Sequence, residues 1–159
     1  MRQAIFAAGC FWGVQEKFGK LQGVLKTEVG YTGGYTANPT YEEVCIDKTG
    51  HAEAVRIYYD PEKIVYEDLL KAFFDMHNPT NKNRQGFDVG SQYRSAIFYV
   101  DDEQRKKAEE YISELSKSGV YSKKIVTEIT PAREFFLAEE YHQNYYKKKR
   151  KETRQEEST

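Results

Sequence analysis

Residues 3–13 read Gln3-Ala4-Ile5-Phe6-Ala7-Ala8-Gly9-Cys10-Phe11-Trp12-Gly13, a pattern that predicts a buried strand followed directly by a helix. The first six residues form a short, mainly apolar run that ends at a glycine, which is typical of a buried strand. Apolar residues then recur at helical spacing, at Val14, Phe18 and Leu21. Cys10 is therefore expected at or next to the first helical position. Unpaired N–H groups and the positive end of the helix dipole favour a thiolate there, so we expect a lowered pKa for Cys10.

A free cysteine is more often a small buried hydrophobic residue than a reactive one. Two features favour the reactive interpretation of Cys10. Gly9 and Gly13 leave space around the thiol, and Phe11 and Trp12 follow it directly. Two bulky aromatic side chains in a first helical turn can form a wall around an apolar group.

The rest of the chain alternates strand and helix patterns without internal repeats or low-complexity linkers. Strands are predicted over residues 24–31, 52–59, 93–100 and 125–129. Helices are predicted over 66–76, from Asp101 or Asp102 to about Gly119, and from about 139 onward. The connections over 32–50 and from 78 to about 92 are long, and such loops are commonly functional. We predict an α+β fold in which helices pack on a mostly antiparallel sheet.

Composition limits the classes of protein that fit. The chain has 159 residues, 24 basic and 25 acidic, and a net charge of −1. This length suits one domain, and the balanced charge gives no general attraction to nucleic acid or an anionic membrane. No signal-peptide pattern or membrane span is evident, so we expect a cytoplasmic protein. Two cysteines suggest redox or nucleophilic chemistry, and no Cys or His spacing predicts a metal site.

Several short motifs follow Gly9-Cys10-Phe11-Trp12 along the chain. They are Gly30-Tyr31-Thr32-Gly33-Gly34-Tyr35, Asn38-Pro39-Thr40-Tyr41, Thr49-Gly50-His51-Ala52-Glu53, Gly86-Phe87-Asp88, Gln92-Tyr93-Arg94-Ser95-Ala96-Ile97 and Tyr141-His142-Gln143. In this order they resemble the A-type peptide methionine sulfoxide reductases over most of the chain. The resemblance implies a ferredoxin-like α/β sandwich with long functional loops. We divide the chain into a catalytic reductase domain, 1–146, and a charged C-terminal helix end or tail, 147–159.

The reaction that the resemblance implies is reduction of methionine-S-sulfoxide. It requires a soft nucleophile at sulfur and a proton donor at oxygen. Cys10 matches the family nucleophile and Glu53 the family acid, and burial near aromatic rings would keep Glu53 protonated by raising its pKa. Tyr41 and Tyr93 match the tyrosines that hydrogen-bond the sulfoxide oxygen. From the residues alone, Glu53 would be a solvated strand residue and each tyrosine an ordinary core or surface residue.

The same resemblance assigns the remaining pocket residues. Phe11 and Trp12 would hold the substrate methyl group, and Asp88 matches an aspartate near the pocket, although its position between two glycines also suits a turn. His51 and His142 receive no catalytic role. No metal or organic cofactor is implied. The products are methionine and a Cys10 sulfenic acid.

The chain departs from the family pattern at two places. Gln15 occupies a position that is often acidic, and the C-terminal sequence lacks the resolving cysteines of many members. We expect Cys45, the other thiol, to be buried and structural. An external thiol would then reduce Cys10, with thioredoxin, glutaredoxin and glutathione as candidates. We expect a monomer that acts on free or protein-bound methionine sulfoxide.

Two other classes of function remain open. Cys10 with His51 or His142 could form a cysteine acyl-transfer enzyme. A non-enzymatic interaction module with a structural cysteine is the third interpretation. The absence of an aromatic RNA-binding strand motif and of a basic excess counts against such a module.

Overall fold

A computed structural model of the protein describes residues 1–158, and its side chains through residue 154. Its central feature is a six-stranded sheet. The strands are β1 (Arg2–Ala8), β2 (Val24–Thr32), β3 (Ala52–Tyr59), β6 (Ser95–Tyr99), β7 (Glu128–Pro131) and β8 (Phe136–Leu137), while β4 (Arg84–Gln85) and β5 (Asp88–Val89) form a separate hairpin. The helices are α1 (Phe11–Gly19), α2 (Tyr41–Cys45), α3 (Tyr66–Asp75), α4 (Asp102–Lys117) and α5 (Tyr145–Ser158).

The sheet has the strand order β7-β6-β1-β3-β2-β8. Every neighbouring pair is antiparallel except β6 and β7, which are parallel. The chain path β1-α1-β2-β3-α3-β6 fills the four central positions in the order β6-β1-β3-β2. The predicted α+β class with a mostly antiparallel sheet is confirmed.

The two faces of the sheet bury different side chains because neighbouring residues in a strand point to opposite sides. On one face Phe6 stacks against Phe18 of α1 and Phe73 of α3, with ring centroids 5.3 and 5.1 Å apart. The other face is lined by smaller residues, such as Ala7, Ala54 and Ala96. The helices therefore cover the face that carries the bulky aromatic core.

A short helix interrupts the segment that the sequence analysis predicted as one long loop. α2 begins after Thr40, whose hydroxyl accepts a hydrogen bond from the Glu43 N–H, while the Glu43 carboxylate accepts one from the Thr40 N–H. This reciprocal capping box satisfies two amide groups that a helix start otherwise leaves unpaired. The expectation of a continuous loop over 32–50 is therefore wrong.

Two strands begin later than predicted. Tyr93 belongs to a 3-10 turn, Ser91–Tyr93, and β6 starts only at Ser95. The turn follows Gly90, whose φ of 142° suits glycine and whose carbonyl accepts from the Tyr93 N–H. Likewise β7 starts at Glu128, because the Val126 N–H is taken by the carbonyl of Pro79.

The C-terminal segment is fastened to β2 by two glutamine side chains. Gln143 accepts from the Val29 N–H at 3.0 Å and donates to the Val29 carbonyl at 2.9 Å. Gln15 donates to the carbonyl of Thr27 and accepts from the Asn144 N–H at 2.8 Å. An ionised carboxylate could accept from Asn144 but could not donate to Thr27, so Gln15 has a structural role at its family-variant position. No helix within residues 1–158 is long and apolar enough to cross a membrane.

Candidate active site

Cys10 is the N-cap residue of α1 and is separated from β1 by Gly9 alone. The nearby backbone N–H groups of Trp12 and Gly13 lower the pKa of the thiol, as expected at a helix start, although the sulfur does not cap the helix with a hydrogen bond. Burial nevertheless dominates, and with the negative charges of Glu53 and Asp88 it raises the pKa of Cys10 to about 11. The expectation of a lowered pKa is therefore wrong, because the loss of hydration destabilises the thiolate more than the helix terminus stabilises it.

Glu53 lies on β3, on the face of the sheet that the helices cover, and is only 1% exposed. One carboxyl oxygen, Oε1, accepts from the Phe11 N–H at 3.3 Å. Because Phe11 follows Cys10 in the chain, the acid contacts the residue next to Cys10. The other oxygen, Oε2, is buried and has no hydrogen-bond partner among the described residues. Burial, helped by the charge of Asp88, raises the pKa of Glu53 to about 8. Glu53 is thus protonated at neutral pH, as the sequence analysis expected.

Tyr41 and Tyr93 lie next to this carboxyl on two different connections. Burial raises the pKa of both phenols, and the charge of Glu53 contributes to both shifts. Tyr41 and Cys45 are the first and last residues of α2, and the Tyr41 hydroxyl lowers the pKa of the Cys45 thiol against the larger effect of burial. The charges of both Cys10 and Cys45 contribute to the raised pKa of Tyr93. Both phenols remain neutral donors over the working pH range.

Asp88 reaches the same region from the β4–β5 hairpin. It is exposed, and its negative charge contributes to the raised pKa values of Cys10, Glu53 and Tyr93. The loop that carries it is otherwise rich in exposed apolar residues, including Phe87 and Val89. Asp88 therefore lies at the solvent-facing rim of the site.

Aromatic rings form the opposite wall. Phe11 is buried, and its ring centroid lies 5.2 Å from that of His142. The Trp12 indole N–H donates to His142 Nδ1 at 2.9 Å, which fixes the orientation of the ring. Tyr145 stacks on Trp12 with a centroid distance of 3.8 Å and an angle of 8°. The indole is therefore held at its N–H edge and on one face, and a small apolar group can contact its other face.

His142 is a buried part of this wall. Because the indole N–H can only donate, Nδ1 must be the acceptor and the proton of the neutral ring lies on Nε2. Burial lowers the pKa of His142, which keeps the ring neutral. Nε2 has no partner among the described residues. Protonation of Nδ1 would remove the acceptor for Trp12.

Sequence reasoning missed three residues of the site, Glu139, Tyr145 and Tyr146. The Glu139 carboxylate accepts from the Tyr41 N–H at 3.0 Å and from the Tyr31 hydroxyl at 2.8 Å, so it fixes the start of α2. Tyr146 packs over Gly13, where an added methyl group would lie 4.0 Å from its ring. The sequence signal that could have pointed to the last two was a pair of adjacent tyrosines, Tyr145 and Tyr146, shortly after His142.

Cys45 differs from its expectation. It is the last residue of α2 and is exposed, so the predicted buried structural role is wrong. A five-residue helix buries only Val44, and this geometry leaves the next side chain facing outward. Its pKa is nevertheless raised, chiefly by partial desolvation and by the nearby charges of Glu53 and Glu42.

The three histidines have other partners than Cys10 in the described structure. His51 accepts from the Gly34 N–H at 3.0 Å and contacts the Thr36 carbonyl. His77 is hydrogen-bonded to the Phe73 carbonyl and to Ser95, and burial lowers its pKa to about 4. Within residues 1–158 no cluster of three His, Cys, Asp or Glu side chains could hold a metal ion.

The geometry therefore combines a cysteine at a helix start, a buried protonated carboxyl that is hydrogen-bonded to the next residue, two neutral phenols and an aromatic wall. A soft nucleophile next to a proton donor suits reduction of an oxygen atom bound to sulfur. The fold and the site together define a thiol-dependent oxidoreductase of mixed α/β architecture.

Comparison with known proteins gives the family. The family model described as peptide methionine sulfoxide reductase matches residues 2–159. The peptide methionine sulfoxide reductase MsrA of Methanosarcina acetivorans is 54% identical over 149 residues, which are 94% of this chain and 79% of that protein. The chain belongs to the peptide methionine sulfoxide reductase family, in its MsrA branch, and is an oxidoreductase that reduces methionine sulfoxide.

Solved structures of the family have the same architecture. Mxr1 from Saccharomyces cerevisiae in reduced form superposes with a TM-score of 0.87 at 34% identity, covering 92% of this chain and 84% of that one. Methionine sulfoxide reductase A of Corynebacterium diphtheriae superposes with a TM-score of 0.80 at 37% identity, covering 92% and 74%. Mxr1 has also been solved in complex with Trx2.

Proposed function

We propose that this enzyme reduces the S epimer of methionine sulfoxide, with Cys10 as nucleophile and Glu53 as general acid. The main observation behind the proposal is the state of the Glu53 carboxyl, which is buried and protonated at neutral pH. It is hydrogen-bonded to Phe11, the residue next to Cys10, and its Oε2 has no partner in the described structure. A protonated carboxyl oxygen without a partner can donate to a substrate oxygen.

The proposed step forms a bond between the Cys10 sulfur and the sulfoxide sulfur while Glu53 protonates the sulfoxide oxygen. The protonated oxygen then passes to the Cys10 sulfur as a hydroxyl group, and both the S–O bond of the substrate and the newly formed bond between the two sulfurs break. Cys10 is oxidised to a sulfenic acid and the sulfoxide is reduced to a thioether. The thiol proton replaces the one that Glu53 gave, so the carboxyl returns to its starting state.

The pKa values support this order of events. A Cys10 pKa of about 11 and a Glu53 pKa of about 8 mean that both groups carry their protons before the reaction at neutral pH. Two nearby negative charges are thereby avoided in a desolvated site. The thiol therefore becomes nucleophilic as its proton leaves, and Glu53 is the nearby group that can accept a proton after donating its own.

The tyrosines and the aromatic wall position the substrate in this proposal. Tyr41 and Tyr93 donate to the sulfoxide oxygen, since the charge of Glu53 contributes to the raised pKa of both phenols and both remain protonated. Phe11 and Trp12 contact the methyl group. Asp88 at the rim supports the raised pKa of Glu53. Oxygen donors on one side and rings on the other discriminate between the two epimers, because exchanging oxygen and methyl places each in the wrong surroundings.

Recycling requires an external thiol that attacks the sulfenic acid. We propose a thioredoxin, with glutaredoxin or glutathione as alternatives, and the complex of the yeast relative Mxr1 with Trx2 supports this partner class. Two free cysteines suit the cytoplasm, where thiols are kept reduced. We propose that the enzyme acts there as a monomer on free and protein-bound methionine sulfoxide, and that residues 1–146 form the catalytic part.

The strand order also supports a finer description of the fold. The path β1-α1-β2-β3-α3-β6 with central order β6-β1-β3-β2 is that of a ferredoxin-like α/β sandwich. We propose that classification, with β7, β8 and α5 as additions. Neither the acyl-transfer alternative nor the interaction module has a supporting observation, since all three histidines have partners other than Cys10 in the described structure.

The test is turnover of the two resolved methionine sulfoxide epimers with a small dithiol as reductant. We expect reduction of the S epimer only, and no turnover by a folded Cys10→Ser variant, because an alcohol is a far weaker nucleophile. Glu53→Gln should slow sulfenic acid formation by about a hundred- to ten-thousandfold. Equal reduction of both epimers would contradict the proposed epimer selectivity, and turnover by the serine variant would contradict the role of Cys10.

A further inference from the structure

A groove of about 410 Å³ lies between α1, β2 and the first turns of α5. We call it the α5 groove. The residues that matter for its character are Trp12, Glu16, Lys20, Tyr146, Lys147 and Arg150. The proposed reaction uses only Trp12 of this set, so the groove needs a separate explanation.

The α5 groove begins at the active site. Trp12 belongs to both, and Tyr145 covers one face of its indole. Tyr146 lines the groove and packs over Gly13. Burial raises the pKa of Tyr146, and the charges of Cys10 and Asp88 contribute to the shift. A chain leaving the site past Tyr146 therefore enters the groove.

The groove is basic although the whole chain has a net charge of −1. Lys20, Lys26, Lys147 and Arg150 line it, together with one carboxylate, Glu16. Glu16 pairs with Arg150 at 2.6 Å and with Lys20 at 3.4 Å, while Lys147 makes no ion pair in the part of the chain described by the structure. Lys26 also pairs with Glu28, at 3.8 Å, a carboxylate that it shares with Arg56. Two carboxylates cannot neutralise the four cations that line the groove, so the groove favours an anionic occupant.

A second groove of about 420 Å³ continues this basic surface on the neighbouring side of α5. It shares Glu16, Tyr146 and Arg150 with the first groove and adds Lys149, which pairs with Glu152 at 3.4 Å, and Arg154. The basic residues of α5 thus lie along a continuous surface, formed by the two grooves, that starts near Cys10. A tail that was only solvated would not need its charges in this position.

The edge of β2 also borders the α5 groove. β8 pairs only with Gly30 and Tyr31, so residues 24–28 lie on the outer edge of the described sheet. Residues 24–27 line the groove, and the side chain of Gln15 already bonds the Thr27 carbonyl there. An extended polypeptide suits a groove with a strand edge on one side.

We propose that the α5 groove binds the polypeptide segment next to an oxidised methionine, and that it favours segments carrying Asp or Glu. The inference rests on the proposed function and deepens it by assigning a substrate class. Continuity with the site at Trp12 and Tyr146 argues for a chain attached to the reacting residue, and the basic lining argues for its acidic character.

The experiment uses single-turnover formation of the Cys10 sulfenic acid without reductant, which separates substrate binding from recycling. The substrates are peptides with one central methionine-S-sulfoxide and flanks of Asp and Glu, of Ser and Gly, or of Lys, with the charges on either side. At about 50 mM salt we expect the acidic peptide to have the highest apparent second-order rate constant for sulfenic acid formation, and the preference to shrink at about 0.5 M salt. The variant Lys147→Gln/Arg150→Gln should lower the acidic-to-neutral ratio by about three- to tenfold, since each exposed pair contributes up to about fivefold.

The matched control is Lys123→Gln/Lys124→Gln, which removes the same charge near β7, at the opposite edge of the sheet. It should leave the ratio unchanged. Circular dichroism checks that both variants fold. Active wild-type enzyme without an acidic preference, or a control that lowers the ratio equally, would overturn the inference. An RNA oligomer that competes better than an acidic peptide would also overturn it, whereas inactivity on every peptide would refute the proposed function instead.

Discussion

Substituting Gln for Glu53 should remove a pH dependence of stability that the buried carboxyl imposes on the wild-type protein. Its pKa is about 8 in the folded chain against an ordinary value of 4.5. Because the folded pKa is raised, the protonated form stabilises the fold at low pH. That contribution is complete below pH 4.5 and is lost as the pH rises toward 8. The full loss corresponds to about 5 kcal/mol of unfolding free energy at 1.36 kcal/mol per pKa unit.

Between about pH 5.5 and about pH 7.5, linkage predicts that this carboxyl alone lowers the free energy of unfolding by about 2.5 kcal/mol. The Gln variant keeps an acceptor for the Phe11 N–H but places an amide N–H₂ where Oε2 has no partner. That defect costs about 1–3 kcal/mol at every pH, so the slope and not the absolute stability carries the information.

The assay is urea unfolding of both proteins, followed by circular dichroism at several pH values. Other titrating groups are common to both chains and cancel in the difference. We expect the stability of Glu53→Gln relative to wild type to rise by about 2–3 kcal/mol over this range. Parallel pH profiles for the two proteins would refute the raised pKa, and with it the assignment of Glu53 as an acid that is protonated at neutral pH.

Two further predictions concern the aromatic wall and the second thiol. Trp12→Phe removes the only described donor to His142 Nδ1. Urea unfolding should therefore show a free energy of unfolding lower by about 1–3 kcal/mol, and kcat/KM should fall. Unchanged stability would mean that the 2.9 Å hydrogen bond does not contribute. One equivalent of substrate without reductant should add one oxygen to the enzyme, trappable by dimedone, and leave Cys45 titratable, because the raised pKa of Cys45 keeps it as a thiol and not as the attacking thiolate. A mass loss of two hydrogens with a Cys10–Cys45 peptide in the digest would show instead that Cys45 resolves the sulfenic acid.

Local sequence patterns were sufficient for most elements of this fold. The apolar run 3–8 predicted β1, and the helical spacing after it placed Cys10 at the helix start, where it is the N-cap. Asp101 caps α4 through the Gln104 N–H, as predicted from its residue type. Such features depend on neighbouring residues along the chain, so they can be recognised without knowledge of the tertiary contacts.

One local signal was overlooked. Thr40 and Glu43 have the spacing of a capping box, which predicts the start of α2, but the glycines and prolines around them favoured a loop. The displaced start of β6 has a similar cause. The apolar run suggested a strand from Tyr93, whereas the positive φ of Gly90 directs the chain into a turn first.

The chemical state of the site was decided by tertiary structure. A helix start predicts a lowered pKa for Cys10, but burial beneath the packed chain reverses the direction. Glu53 becomes an acid only because β3 carries it under α1, and the exposed position of Cys45 depends on how a five-residue helix packs. Glu139, His142 and Tyr146 join the site from the far end of the chain. Desolvation and contacts between distant segments arise only when the chain is folded, so sequence alone determined which groups are present and the fold determined their protonation and their neighbours.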